Sequence, residues 1–137
     1  MKIVIVDDHA VVRHGLQSAI QSHGYEVVAV AGSINEAKSF MAQTSPDAII
    51  VDINLPDGSG YDLVSWARKV SPTIAIVVLT LNDGSDYIRA AKRAGANAFI
   101  VKSAPLSDLL AALDLALSSQ SLFSSKSVSP LAIDSGL

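Results

Sequence analysis

Residues 2–8 read KIVIVDD. Four β-branched apolar residues follow one lysine, and the run ends abruptly in two carboxylates. A nearly continuous apolar run of this length marks a strand covered on both faces, as in a parallel sheet. Four more runs share the character: EVVAVA at 26–31, AIIV at 48–51, IAIVVL at 74–79 and AFIV at 98–101. The stretches between them have helical spacing. Residues 9–23 put Val12, Leu16, Ala19 and Ile20 on one face before Gly24, and Ser33-Ile34-Asn35-Glu36 forms a capping-box pattern ahead of Ala37, Phe40 and Met41. A third helix near 59–70 turns Leu63, Val64, Ala67 and Val70 inward. A fourth spans about 85–94 and stops at Gly95, and a fifth begins around Pro105. This alternation predicts an α/β fold of (βα)5 type. Right-handed crossovers wind the five parallel strands into a doubly wound sheet, with strand order 2-1-3-4-5.

The rest of the chain narrows the function class. At 137 residues it holds one domain with a real core. The absence of cysteine excludes disulfides, thiol catalysis and cysteine-ligated metals. With 50% hydrophobic and 17% charged residues the chain is not a disordered tail, and a net charge of −3 argues against direct nucleic-acid binding. Its longest apolar runs are strand-sized, so no membrane span is expected, and Asp7-Asp8 comes too soon for a secretory signal. A soluble, cytoplasmic domain is expected over residues 1–117. Residues 118–137 carry eight serines and no sustained period, and read as a linker or tail. No GxGxxG or P-loop follows the first strand, so a nucleotide would lack its phosphate cradle.

The polar exceptions sit at strand ends. Asp7 and Asp8 end the first strand, Asp52 the third, Thr80 the fourth and Lys102 the fifth, while the second ends in Ala31 and Gly32. Open α/β sheets bind ligands beyond the carboxyl ends of their strands where the order reverses. In the order 2-1-3-4-5, strands one and three are neighbours and their carboxylates converge; strand two is a remote edge. Three carboxylates in one crevice require a cation, and hard oxygen ligands favour Mg²⁺. A carboxylate beside Mg²⁺ can attack a phosphoryl group to give an acyl phosphate. A lysine ammonium and a threonine hydroxyl are suited to the phosphoryl oxygens.

On these residues, together with Pro56 and Gly60 in DINLPDGSG (52–60) and with Phe99-Ile100-Val101-Lys102, the chain resembles the CheY-like receiver domains of two-component response regulators. DDHAVVRHGL at 7–16 and GANAFIVKSAP at 95–105 resemble the NarL/LuxR-type subfamily in particular. The resemblance covers about residues 1–117. It implies that a histidine kinase phosphorylates Asp52. It implies that Asp8 and Asp52 ligate Mg²⁺ with the Asn54 backbone carbonyl, and that Asp7 acts largely through water. It also implies that Thr80 and Phe99 shift on phosphorylation and remodel the face made by helix four, strand five and helix five. The subfamily usually carries a helix-turn-helix output domain after such a linker; none lies within these residues.

Several positions depart from the family's commonest pattern. Leu81 stands where a small residue is usual, Ser103 where proline is frequent, and Phe99 lacks tyrosine's hydroxyl; Asn54 and Asn82 occupy positions that tune phosphoryl lifetime. Two rival readings are a non-phosphorylated pseudo-receiver acting as a dimerisation scaffold and a Mg²⁺-dependent aspartyl-phosphate phosphohydrolase. The second lacks its expected Asp-x-Asp and cap insertion.

Elsewhere the expectations are modest. His9 and His14, five apart, point about 140° from one another on a helix and cannot share a metal, and His23 suits a helix end. Asp57, Asp62, Asp83 and Asp86 suit turns and helix starts, and Trp66 suits helix packing. Helix five carries an inward stripe of Leu106, Leu109, Leu110, Leu113 and Leu117. Ala111, Ala112, Leu115 and Ala116 leave its other face poor in charge, which predicts a homodimer or effector contact there.

Overall fold

A computed structural model of the chain describes residues 1–82, 84–119 and 124–125. Five parallel strands form the sheet: β1 (Lys2–Val6), β2 (Glu26–Ala31), β3 (Ala48–Asp52), β4 (Ala75–Thr80) and β5 (Ala98–Val101), in the order β2-β1-β3-β4-β5. They alternate with α1 (Ala10–Ser22), α2 (Ile34–Thr44), α3 (Gly60–Val70), α4 (Ser85–Ala94) and α5 (Leu106–Ser119). The predicted fold class and strand order are therefore observed. A two-residue strand, β6 (Ser124–Ser125), pairs parallel with Ala98–Phe99 at the outer edge of β5. It falls inside the serine-rich stretch read as a tail, and α5 itself runs through Ser118 and Ser119. Serine composition hides such pairing because a ladder is made by backbone groups. Asp83 lies outside the described residues.

Successive residues along each strand are buried on opposite faces of the sheet, as the pleat requires. Val4, Val6, Ile49, Val51, Ile76, Val78 and Phe99 pack under α2, α3 and α4, which contribute Ala37, Met41, Leu63, Val64, Ala67 and Ile88. Ile3, Ile5, Ile50, Val77, Leu79 and Ile100 face α1 and α5, which contribute Leu16, Ile20, Leu109, Ala112, Leu113 and Ala116. The continuous apolar runs thus serve two cores at once.

Helix ends follow their local chemistry. Ser33 Oγ accepts from Glu36 N at 3.2 Å, and Glu36 reaches back to Gly32 N rather than to the cap residue itself. Gly95 closes α4 at φ +112°, a conformation side chains rarely adopt. Three expectations about faces change. Val70, the last residue of α3, is exposed, because Ile74 fills the core at the return into β4. Leu106, at the first turn of α5, is also exposed, whereas Ala112 and Ala116 are buried. Small alanines let α5 approach the sheet closely, so its packing stripe is wider than the leucines alone and its outward apolar face is correspondingly thinner. Asp114 on α5 accepts from Tyr25 Oη and lies 2.9 Å from His23 Nε2, which ties the far end of α5 to the α1–β2 turn. Burial and the Asp114 contact push the Tyr25 hydroxyl up to about 12. His23 is the C-cap residue of α1, as its place near a helix end suggested.

Candidate functional site

Strand register creates the site. Val6 pairs with Val51, so the next residues, Asp7 and Asp52, fall side by side beyond the two central strands. Asp52 pairs with Leu79 and Thr80 with Val101, which brings Thr80 and Lys102 to the same edge. Lys102 N donates to the Thr80 carbonyl at 2.7 Å, fixing that corner. Asp7, Asp52 and Thr80 are buried, Lys102 is mostly covered, and Asp8 is exposed at the rim.

One ammonium faces the two buried carboxylates. Lys102 Nζ donates to Asp52 Oδ2 at 3.0 Å. It also lies 3.0 Å from Asp7 Oδ2, an ion pair with a buried carboxylate. Burial pushes the Asp52 carboxyl above its ordinary value, and the neighbouring Asp7 charge adds to this; Lys102 and the Asn54 N–H oppose it. Burial would depress the Lys102 ammonium, but the two carboxylates outweigh it and hold its pKa above the usual value.

The loop after β3 is shaped by close packing. Asn54–Leu55 and Gly58–Ser59 form a small antiparallel hairpin. A Cβ at Gly60 would stand 2.2 Å from the Asp52 carbonyl oxygen and 2.7 Å from Ile53 Cα, so only glycine allows α3 to start against the end of β3. Asp57 accepts from Ile34 N at 2.8 Å and Asn35 N at 3.0 Å, capping α2 from this loop. Its expected role at a helix start holds, but for a helix that begins more than 20 residues earlier. Asp62 and Asp86 lie in the first turns of α3 and α4.

Asp7, Asp8, His9 and Asp52 each offer one ligand atom, and these atoms lie within 4.8 Å of one another. Asp7 Oδ2 is buried, with the Lys102 ammonium 3.0 Å away. Three carboxylates against one ammonium, two of them buried, fit a hard divalent cation. His9 is the residue missed in the sequence: its Nδ1 lies 3.2 Å from both Asp7 Oδ1 and Asp8 Oδ1. Its signal was adjacency to the strand-end aspartates, overshadowed by the comparison with His14, which is exposed and outside the cluster. Thr80 Oγ1 accepts from Asn82 N at 3.1 Å. Phe99 is fully buried on the α2–α3–α4 side, Leu81 is 68% exposed at the mouth, and the described peptide bonds are all trans. Trp66 is half-buried with Lys38 Nζ 5.3 Å above its ring, consistent with packing.

Residues 3–114 match the family described as response regulator receiver domain. The chain is 35% identical over 117 residues to the transcriptional regulatory protein PdtaR of Mycobacterium tuberculosis, covering 85% of this chain and 57% of that protein. It is 35% identical over 115 residues to the oxygen regulatory protein NreC of Staphylococcus haemolyticus, covering 82% and 53%. The chain thus spans about half the length of these curated relatives. Among solved structures it is similar to a LuxR-family two-component response regulator from Aurantimonas sp. SI85-9A1, with a TM-score of 0.85, 30% identity and coverage of 97% and 92%. The BeF₃-activated receiver domain of Klebsiella pneumoniae RstA gives a TM-score of 0.79 at 32% identity, covering 85% and 98%. No described helix is long and apolar enough to cross a membrane. The strand-end carboxylates, their shared lysine and the match over nearly the whole sheet lead to one assignment: this chain belongs to the response regulator receiver domain family of two-component signalling.

Proposed function

We propose that the chain is a phosphorylation switch in which Asp52 accepts a phosphoryl group from a histidine kinase in a Mg²⁺-dependent reaction. The observation that carries this reading is the bridge from Lys102 Nζ to both Asp52 Oδ2 and Asp7 Oδ2 at 3.0 Å. The ammonium sits beside the nucleophile, where the charge of an arriving phosphoryl group must be met.

An Asp52 oxygen forms the new P–O bond as the bond from phosphorus to the kinase histidine breaks, and that histidine leaves with the electron pair. Asp8, Asp52 and the Asn54 carbonyl would hold the cation, with Asp7 acting through water. Bound Mg²⁺ supplies Lewis-acid neutralisation of the phosphoryl oxygens. Lys102 exchanges its contact with the Asp52 carboxylate for one with the phosphoryl group, and the Thr80 hydroxyl donates to another of its oxygens. Movement of Thr80 and Phe99 then alters the surface of α4, β5 and α5, which a second copy of the chain or an output domain reads. The domain works as a switch that catalyses only its own phosphorylation and hydrolysis. It acts in the cytoplasm and makes no nucleic-acid contact of its own.

Intact mass after incubation with acetyl phosphate tests the acceptor. One added phosphoryl group is expected with Mg²⁺, and none without it or in Asp52→Asn. An adduct that persists in Asp52→Asn moves the acceptor elsewhere. No adduct in the unaltered chain, together with failure to bind beryllofluoride, favours the scaffold reading.

A further inference from the structure

His9 stands at the mouth of the pocket, its ring within hydrogen-bond distance of Asp7 Oδ1. It is the N-cap residue of α1, yet its side chain makes no capping hydrogen bond, and the ring is 59% exposed. Its Nδ1 nevertheless points into the carboxylates: 3.2 Å from Asp7 Oδ1, 3.2 Å from Asp8 Oδ1 and 4.0 Å from Asp52 Oδ2. Two ligands at right angles, each about 2.1 Å from a common octahedral ion, stand about 3.0 Å apart, and opposite ones about 4.2 Å. The two 3.2 Å separations are close to those of neighbouring positions, and the 4.0 Å separation from Asp52 Oδ2 is close to that of opposite ones. Asp7 Oδ2 and Asp52 Oδ2, both buried, share the single Lys102 ammonium at 3.0 Å, so the pocket holds more negative than positive charge.

Imidazole and carboxylate differ in which ions they favour. Mg²⁺ prefers oxygen and water, whereas borderline first-row ions gain from an imidazole nitrogen. We propose that His9 Nδ1 is an additional metal ligand, joining the oxygens of Asp8 and Asp52 and the Asn54 carbonyl, and that it biases this receiver pocket toward ions such as Co²⁺ and Mn²⁺ relative to Mg²⁺. The proposal rests on the cation site described above and adds a nitrogen to its oxygen set. The neutral ring binds through the Nδ1 lone pair and keeps its proton on Nε2. A ring that only donated a hydrogen bond to Asp7 would support every divalent ion alike.

The test compares Co²⁺ and Mg²⁺ binding by the full chain and by His9→Gln, using calorimetry, the visible Co²⁺ spectrum and histidine NMR. Gln keeps a hydrogen-bond donor and removes the imidazole. Because the ring is exposed and caps nothing, the fold is expected to survive, and His9→Ala provides a second variant. Loss of outer partners alone typically weakens metal sites by roughly 10–100-fold, so Co²⁺ affinity should fall by about tenfold or more, with Mg²⁺ affinity within about twofold of the unaltered chain. Diamagnetic Zn²⁺, a borderline ion used in place of Co²⁺ for the NMR, should shift the His9 ring signals and leave those of His14 and His23 in place. Equal losses for the two ions, or a Co²⁺ spectrum unchanged by the substitution, would overturn the His9 assignment and leave the oxygen site standing. Failure of the unaltered chain to bind either ion would overturn both.

Discussion

Asp52 is buried as an acid, and that fixes the sign of its effect on stability. Its carboxyl is held above the ordinary value, so the native state binds this proton more tightly than the unfolded chain does. The contribution is favourable below the pKa of the unfolded carboxylate and is lost as pH rises through the higher folded value. At neutral pH the ionised group therefore opposes folding in metal-free buffer. Asp52→Asn is expected to stabilise the domain by on the order of 1 kcal/mol, raising the melting temperature by roughly 3–5 °C. The gain should shrink as pH is lowered through the folded pKa. Lys102→Met acts in the opposite direction, because it leaves Asp7 and Asp52 facing each other without a counter-charge; a loss of about 2 kcal/mol or more is expected. Denaturant midpoints across pH, with the metal chelated, compare the two variants. An Asp52→Asn protein less stable than the unaltered chain would refute the account of the buried acid.

Elements were legible in the sequence wherever a local pattern determined them. The five strands follow from continuous apolar runs because both faces of this sheet are covered. Ser33 and Gly95 mark helix ends within a few residues of themselves. What local reading missed is the long-range use of polar residues. Asp57 looks like part of a Pro-Asp-Gly turn, yet it caps α2 from across the β3–α3 loop. Asp114 looks like an interruption of an apolar helix, yet it fastens α5 to His23 and Tyr25. The Ile34 and Asn35 N–H groups hold the Asp57 carboxyl below its ordinary value. Its stabilising effect is therefore present above the unfolded pKa and lost as pH falls through the lower folded value. Asp57→Asn should lower the denaturant midpoint at neutral pH and flatten the acid limb of the stability curve, a slope opposite in sign to that of Asp52. A neutral-pH midpoint identical to that of the unaltered chain would mean that water caps α2 equally well.

Across the whole molecule, the candidate site was legible because a doubly wound sheet gathers its strand ends at one edge: Asp7, Asp8, Asp52, Thr80 and Lys102 all arrive there by register. His9 was not, since only three-dimensional placement shows its ring turning back over the carboxylates rather than outward along α1. The same gathering makes the fold a sensor of its own cation. β1 and β3 each bring a buried carboxylate that one lysine cannot fully compensate, so an ion entering the pocket binds the folded chain and has no equivalent site once the strands separate. By linkage, free Mg²⁺ at about a hundred times its Kd should add about 2.7 kcal/mol to the stability of the domain. Thermal melts should show the midpoint rising with Mg²⁺ and returning on addition of EDTA. The rise should be much smaller in Asp52→Asn, which starts from a higher midpoint but has lost a charged ligand. A midpoint insensitive to Mg²⁺ in the unaltered chain would show that Lys102 alone satisfies the pocket.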